Sequence, residues 1–185
     1  MATVTDIYNQ ALILIGQEPI LVADDSSKQS RLCKRLYEPT LEVLLREYPW
    51  TFAIKRVILS PEYETPGFGY SHKFVLPIDC MRIVSTGLDD TQFVVEGGCI
   101  LCDEEVIYLR YVGKPVSTTA YDSQFVEVLA YRLAKVMCQS ITADKEMLSM
   151  LNSLENKALV RAMNTQAIET APQQVQEGPW LKVRY

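Results

Sequence analysis

At 185 residues, with 48% hydrophobic and 22% charged side chains, the chain has an ordinary globular composition. A chain of this length buries roughly 70% of its unfolded surface, so it folds as one domain without help from a metal or a disulfide framework. Its net charge of −5 argues against a general nucleic-acid binder, which would carry a basic face. An acidic wall is still compatible with a polyanion sliding past it. No stretch approaches the roughly 18 apolar residues of a membrane span. The opening MATVTD lacks the basic region of a signal peptide, so the expectation is a protein made in the cytosol and used there or carried elsewhere by an assembly. Five scattered cysteines, an odd number, fit reduced thiols.

The first predicted element is a helix over TVTDIYNQALILIG. Thr3 and Asp6 have capping-box spacing, Ile7, Ala11, Leu14 and Ile15 share a face, and Gly16 suits the stop. After the loop QEPILVADDSS, Ser26 with Gln29 is a second capping-box pair. The helix it opens carries Leu32, Leu36, Leu41, Leu44 and Leu45, with Pro39 expected to kink or split it near Glu38 and Pro49 ending it. The period then changes. TFAIKRVILS, HKFVLPID and CMRIVSTG are rich in β-branched and aromatic residues and punctuated by ETPGFG. QFVVEGGCILC reads as a hairpin turning at Glu96, Gly97 and Gly98, and EVIYLRYVG as a further strand, giving five or six short strands. Helices return after KPVSTTAYD. Asp122 caps one bearing Phe125, Leu129, Leu133, Val136 and Met137. Thr142 is expected to cap a last helix with Met147, Leu151, Leu154, Ala158 and Ala162, and Pro172 lies beyond it.

The chain closes with an amide-rich tether, QQVQEG, and a tip, PWLKVRY, in which apolar residues interleave with Lys182 and Arg184. The predicted fold class is α+β, mainly α. A helical bundle (1–50 and 120–171) carries an inserted small antiparallel β-sheet lobe (51–114) within a single domain of 1–171, and 172–185 form an extended arm.

Catalytic patterns are sparse. One histidine, His72, leaves a Ser-His-Asp or Cys-His mechanism with a single possible base, placed in a strand after a Gly-rich turn, where a surface or structural histidine is the plainer reading. Cys99 and Cys102 have CxxC spacing without a second ligand pair. In a strand, residues three apart point to opposite faces, so two half-buried strand cysteines explain them. Carboxylates cluster at Asp24–Asp25, Asp89–Asp90 and Asp103–Glu104–Glu105, each in a predicted turn, as solvated turn residues do. GFG and EGG are turn glycines outside the strand-to-helix context of a phosphate loop. No catalytic, metal-ligating or cofactor-binding residue is assigned.

One stretch is more specific. In REYPWTFAIKRVIL a helix ends at Tyr48–Pro49, and Trp50 and Phe52 stand where bundle meets sheet; a core hinge is the plain reading of both. As a pattern the stretch resembles the tail tubular protein A family, the head-to-tail adaptors of short-tailed phages. DIYNQALILIGQEPI, DDSSKQSRLCKRLYEPTLEVLLREYPWTFAIKR, YSHKFVLPIDCMRIV, VEGGCILCDEEVIYLRYVGKP, DSQFVEVLAYRLAKVMCQSIT and GPWLKVRY follow in the family's order over essentially the whole chain. The resemblance implies a non-enzymatic virion protein, made in the host bacterial cytoplasm. It implies a homo-oligomeric ring of about twelve subunits seated under the portal protein and joined below to the tail tube or nozzle. Genomic DNA would cross its channel without specific binding. It also implies that the C-terminal arm docks on the portal, with Trp180 and Tyr185 as anchors, Leu181 and Val183 beside them, and Lys182 and Arg184 pairing with acidic partner groups. The alternative is that the arm folds back over an apolar groove of its own subunit.

Two other classes of function stand beside this one. The first is a virion-associated enzyme that cleaves peptidoglycan with a carboxylate pair, a chemistry that needs no histidine. The second is a small bacterial helical binding module with no portal partner.

Overall fold

Thr3 opens the first helix. Its Oγ1 accepts from the Asp6 N–H at 3.2 Å and Asp6 Oδ2 accepts from the Thr3 N–H at 2.8 Å, a reciprocal cap for the unpaired donors of the first turn. The computed structural model describes residues 2–24 and 26–169 and carries this helix, α1, over Val4–Leu14. Gly16 closes it at φ +68°, where a side chain would be strained. The Gly16 N–H bonds Ile13 O at 3.0 Å and the Gln17 N–H bonds Leu12 O at 2.9 Å, which satisfies two of the last carbonyls. Ile7, Tyr8, Ala11 and Leu12 face the core, while Leu14 is only half-buried.

Helix α2 spans Lys28–Glu47, and two expectations are corrected there. Its cap is Ser27, which accepts from the Ser30 N–H at 3.2 Å, and not Ser26. Nor does Pro39 split the helix. Pro39 and Arg35 are both exposed, so the one carbonyl the proline strands, on Arg35, faces water. The buried face (Cys33, Tyr37, Thr40, Leu41, Leu44, Leu45) runs past the proline on both sides and holds the helix together by packing.

A short 3₁₀ turn, Thr51–Ala53, leads into six strands: β1 Ile54–Leu59, β2 His72–Val75, β3 Cys80–Ser85, β4 Phe93–Glu96, β5 Cys99–Cys102 and β6 Ile107–Gly113. They form two three-stranded antiparallel sheets, β1-β6-β3 and β2-β5-β4, rather than one. The β4–β5 hairpin turns at Gly97–Gly98, between the paired Glu96 and Cys99. Both glycines have positive φ (+55° and +78°), the geometry a two-residue turn needs to match strand twist. The sheets face each other across their own core of Phe74, Ile100, Cys102, Ile107, Leu109 and Tyr111.

After a second 3₁₀ turn (Thr118–Ala120), α3 runs over Ser123–Ile141, capped by Asp122 accepting from the Gln124 N–H at 2.8 Å. Val136, expected on its buried face, lies at the margin of exposure. The last helix, α4 Lys145–Glu169, corrects a third expectation. Asp144 opens it, with Oδ1 accepting from the Glu146 and Met147 N–H groups at 2.8 and 3.2 Å. Thr142 instead closes α3, donating its Oγ1 to Cys138 O at 3.0 Å, and Ala143 makes the break at φ +52°. Helix α3 packs on α1, α2 and α4, and the bundle core gathers side chains of all four. The described residues are thus α+β and mainly helical, a bundle with a two-sheet lobe inserted between α2 and α3.

Candidate docking surfaces

Trp50 and Phe52 sit where sequence placed them, between bundle and lobe, and the structure gives them a purpose. Trp50 is fully buried, and its Nε1–H donates to Leu44 O at 2.8 Å. Arg82, on β3, donates to Glu47 O at 3.0 Å and Arg46 O at 3.4 Å. The C-terminal carbonyls of α2 are therefore capped by the lobe itself, two of them by a cation, as the helix dipole favours. Around Trp50 the rings meet edge to face: Phe125 at 4.9 Å and Tyr48 at 5.4 Å. Phe52 packs on Phe125 at 4.8 Å and Tyr121 at 5.6 Å. The seam is a structural joint that ties both lobe ends to α2 and α3.

A second joint was not legible in the chain. Glu155 lies on the buried face of α4, its side chain 3% exposed. It accepts from Arg132 Nε of α3 at 2.6 Å and also pairs with Lys135. Arg132, 11% exposed, reaches Glu47 at the end of α2 at 2.6 Å through NH1. Burial works against the guanidinium charge, but the hydrogen bonds it donates to Glu47 and Glu155 outweigh that and hold Arg132 above its ordinary value. The only sequence signal was a carboxylate in the helical stripe of Leu151, Ala158 and Ala162.

A third polar group lies in the lobe. Asp79 takes Lys55 Nζ at 2.5 Å and the Tyr111 hydroxyl at 3.1 Å. The Lys55 bond holds the Asp79 carboxyl below its ordinary range. Burial first, and then Asp79, push Tyr111 up to about 12. Gly113 makes room for the pair: a Cβ there would lie 2.6 Å from Lys55 Cδ.

The groups weighed for catalysis are scattered. His72 lies on β2 with its ring 6.4 Å from that of Phe74. Both cysteines of CILC are buried rather than half-buried, because β5 is the middle strand. They do face opposite ways: Cys102 enters the lobe core, and Cys99 lines a groove on the outer side under Pro66–Tyr70. Asp24 pairs with exposed Lys34, Asp103 accepts from Ser71, and Asp89 and Asp90 are exposed. Asp25 lies outside the described residues. Among the described residues no group of three or more His, Cys, Asp or Glu side chains could hold a metal, and no helix is long and apolar enough to cross a membrane. The arm residues Trp180, Leu181, Lys182, Val183, Arg184 and Tyr185 lie outside the described residues, as does Pro172.

What the lobe does present is two unlike outer faces. On the outer side of β1-β6-β3, Arg56 stands directly opposite Arg110, and one step outward Ile58 stands opposite Tyr108. Ile58 and Tyr108 are 64% and 66% exposed. These four line a groove of about 350 Å³. The outer side of β2-β5-β4 is overlaid by the β1–β2 loop, in which Tyr63 is fully exposed between Glu62 and Glu64, and Phe68 is 92% exposed. No protein-family model matches the chain, and no curated protein does.

Proposed function

We propose that the chain is a structural head-to-tail adaptor of a short-tailed phage, one subunit of a ring that docks beneath the portal and receives the tail tube or nozzle. The reading rests on the order of the chain's parts. Two helices, a β lobe joined through Trp50 and Phe52, and two further helices follow one another as the resembling stretches do, and the aromatic, basic tip comes after α4. The described residues support it by what they emphasise: capped helices, an ion-paired joint across α2, α3 and α4, and outer faces of unlike chemistry on one lobe. A ring of identical copies needs such unlike faces, because head-to-tail contacts join two different surfaces of each subunit.

In this reading the C-terminal tip is the portal anchor. Ordering a tether costs affinity per contact, and repetition around the ring recovers it through avidity. DNA crosses the channel without being read. The test is cosedimentation of the chain with assembled portal rings encoded in the same genome. Copies pelleting with the portal, and lost when Pro179–Tyr185 is deleted, are the expected result. A chain that stays in the supernatant at micromolar concentration overturns the proposal.

A further inference from the structure

The two outer faces of the β lobe fit one another. Arg56 and Arg110 are direct cross-strand neighbours on an exposed sheet face, where like charges repel. Among the described residues neither makes an ion pair, and Arg110 Nε is shielded from water with no hydrogen-bond partner. Leaving a buried donor unsatisfied is costly, so the pair is poised for an anion from outside. The nearby cations are already engaged: Lys55 points to the other side of the sheet, onto Asp79, and Arg82 holds the α2 carbonyls. Two isolated cations beside an exposed Ile58–Tyr108 pair make a poor track for a phosphodiester backbone, which is gripped by many cations at once. Arginine, tyrosine and an aliphatic residue in one groove are instead what buried protein interfaces use.

The complementary group stands outside that groove, in the β1–β2 loop where it runs beside β2 of the other sheet. Glu62, Tyr63 and Glu64 offer an aromatic ring flanked by two carboxylates. The loop is held in place, with the Glu62 N–H bonded to Lys73 O at 2.7 Å and Glu64 at 3.7 Å from Lys73. We infer that the Glu62–Tyr63–Glu64 loop of one copy docks into the Arg56/Arg110 groove of the next, its carboxylates pairing with the arginines and Tyr63 covering Ile58 and Tyr108. Because groove and loop are two different surfaces of one lobe, the contact is head-to-tail and repeats from copy to copy. It supplies the self-association that the ring reading requires and rests on that reading.

The experiment is a reciprocal charge reversal on the full chain, followed by sedimentation velocity from micromolar to millimolar concentration. One variant carries Arg56→Glu and Arg110→Glu, the other Glu62→Arg and Glu64→Arg. Arg56→Glu alone, at an exposed position, stands in if the double change at half-buried Arg110 does not fold. The wild type is expected to self-associate with rising concentration. Each variant alone is expected to weaken association about tenfold or more, and an equimolar mixture of the two to restore it. A wild type that stays monomeric throughout, a variant that associates as well as the wild type, or a mixture that fails to recover overturns the contact. So does a fluorescent DNA duplex that binds the wild type and is released by Arg56→Glu, which would make the groove a phosphate site. A chain that docks on the portal yet fails the reversal keeps the adaptor role and loses only this contact.

Discussion

Replacing Glu155 with glutamine removes the one buried charge among the described residues of the bundle. The carboxylate is 3% exposed and receives Arg132 Nε at 2.6 Å. Without it Arg132, itself 11% exposed, keeps only Glu47, whose side chain is 41% exposed and can follow it toward water. Breaking one partner of a buried pair costs about 3–5 kcal/mol. The surviving Glu47 contact places Glu155→Gln at the lower end, about 3 kcal/mol. For a chain of this size that lowers the melting temperature by about 6–12 °C. The double change Arg132→Met with Glu155→Leu removes the two most buried charges, leaves the more exposed Lys135 and Glu47 to water, and puts apolar side chains between α3 and α4. It is expected to recover most of the loss, since apolar replacements of buried pairs are often neutral or better. Urea unfolding followed by circular dichroism reads both. A loss under about 1 kcal/mol for Glu155→Gln, the size of an exposed pair, would refute the claim that burial sets the cost. So would a double variant no more stable than the single one.

Other changes probe the remaining joints. Trp50→Phe keeps most of the ring packing but leaves Leu44 O without its donor, for an expected loss of about 1–2 kcal/mol, while Trp50→Ala costs about 3–5 kcal/mol, both read by urea unfolding. Asp79 has a depressed folded pKa, so its stabilisation is present above its unfolded value of 3.8 and fades as pH falls through the lower folded value. Asp79→Asn is therefore expected to cost about 1 kcal/mol at neutral pH and nothing in strong acid. A stability difference from wild type that persists in strong acid would contradict the assignment. Deleting Pro179–Tyr185 is expected to leave the circular dichroism and melting temperature unchanged while portal docking disappears.

The helices were legible where a local rule acts alone. Thr3 and Asp6 cap α1 because their three-residue spacing closes a reciprocal pair, which Thr5 has no partner to form, and Gly16 stops it because few other residues adopt its φ. The caps of α2 and α4 were displaced where two candidates stood side by side. Ser26 and Ser27 carry the same hydroxyl, and Thr142 and Asp144 are both good caps, so packing made the choice. The α3–α4 break falls on Ala143, a residue that ordinarily signals helix. Pro39 leaves α2 unsplit because it and Arg35 lie on the exposed side of the helix, which is tertiary information.

The lobe showed the same division. Strand positions were readable from β-branched and aromatic runs and the Gly97–Gly98 turn from its glycines, yet the split into two sheets depends on long-range pairing, β1 with β6 and β2 with β5. Glu155 stayed hidden because a carboxylate in an apolar stripe looks like a surface residue until Arg132 is brought to it. The opposed arginines stayed hidden because 54 residues separate Arg56 from Arg110 (110 − 56) and register alone makes them neighbours.

The most direct test of the adaptor role is native mass spectrometry of the chain mixed with the portal ring encoded in the same genome. The expected spectrum is a portal mass raised by about twelve copies of the chain, the multiplicity of a closed ring matched to its template. A portal spectrum unchanged by excess chain at micromolar concentration would contradict it.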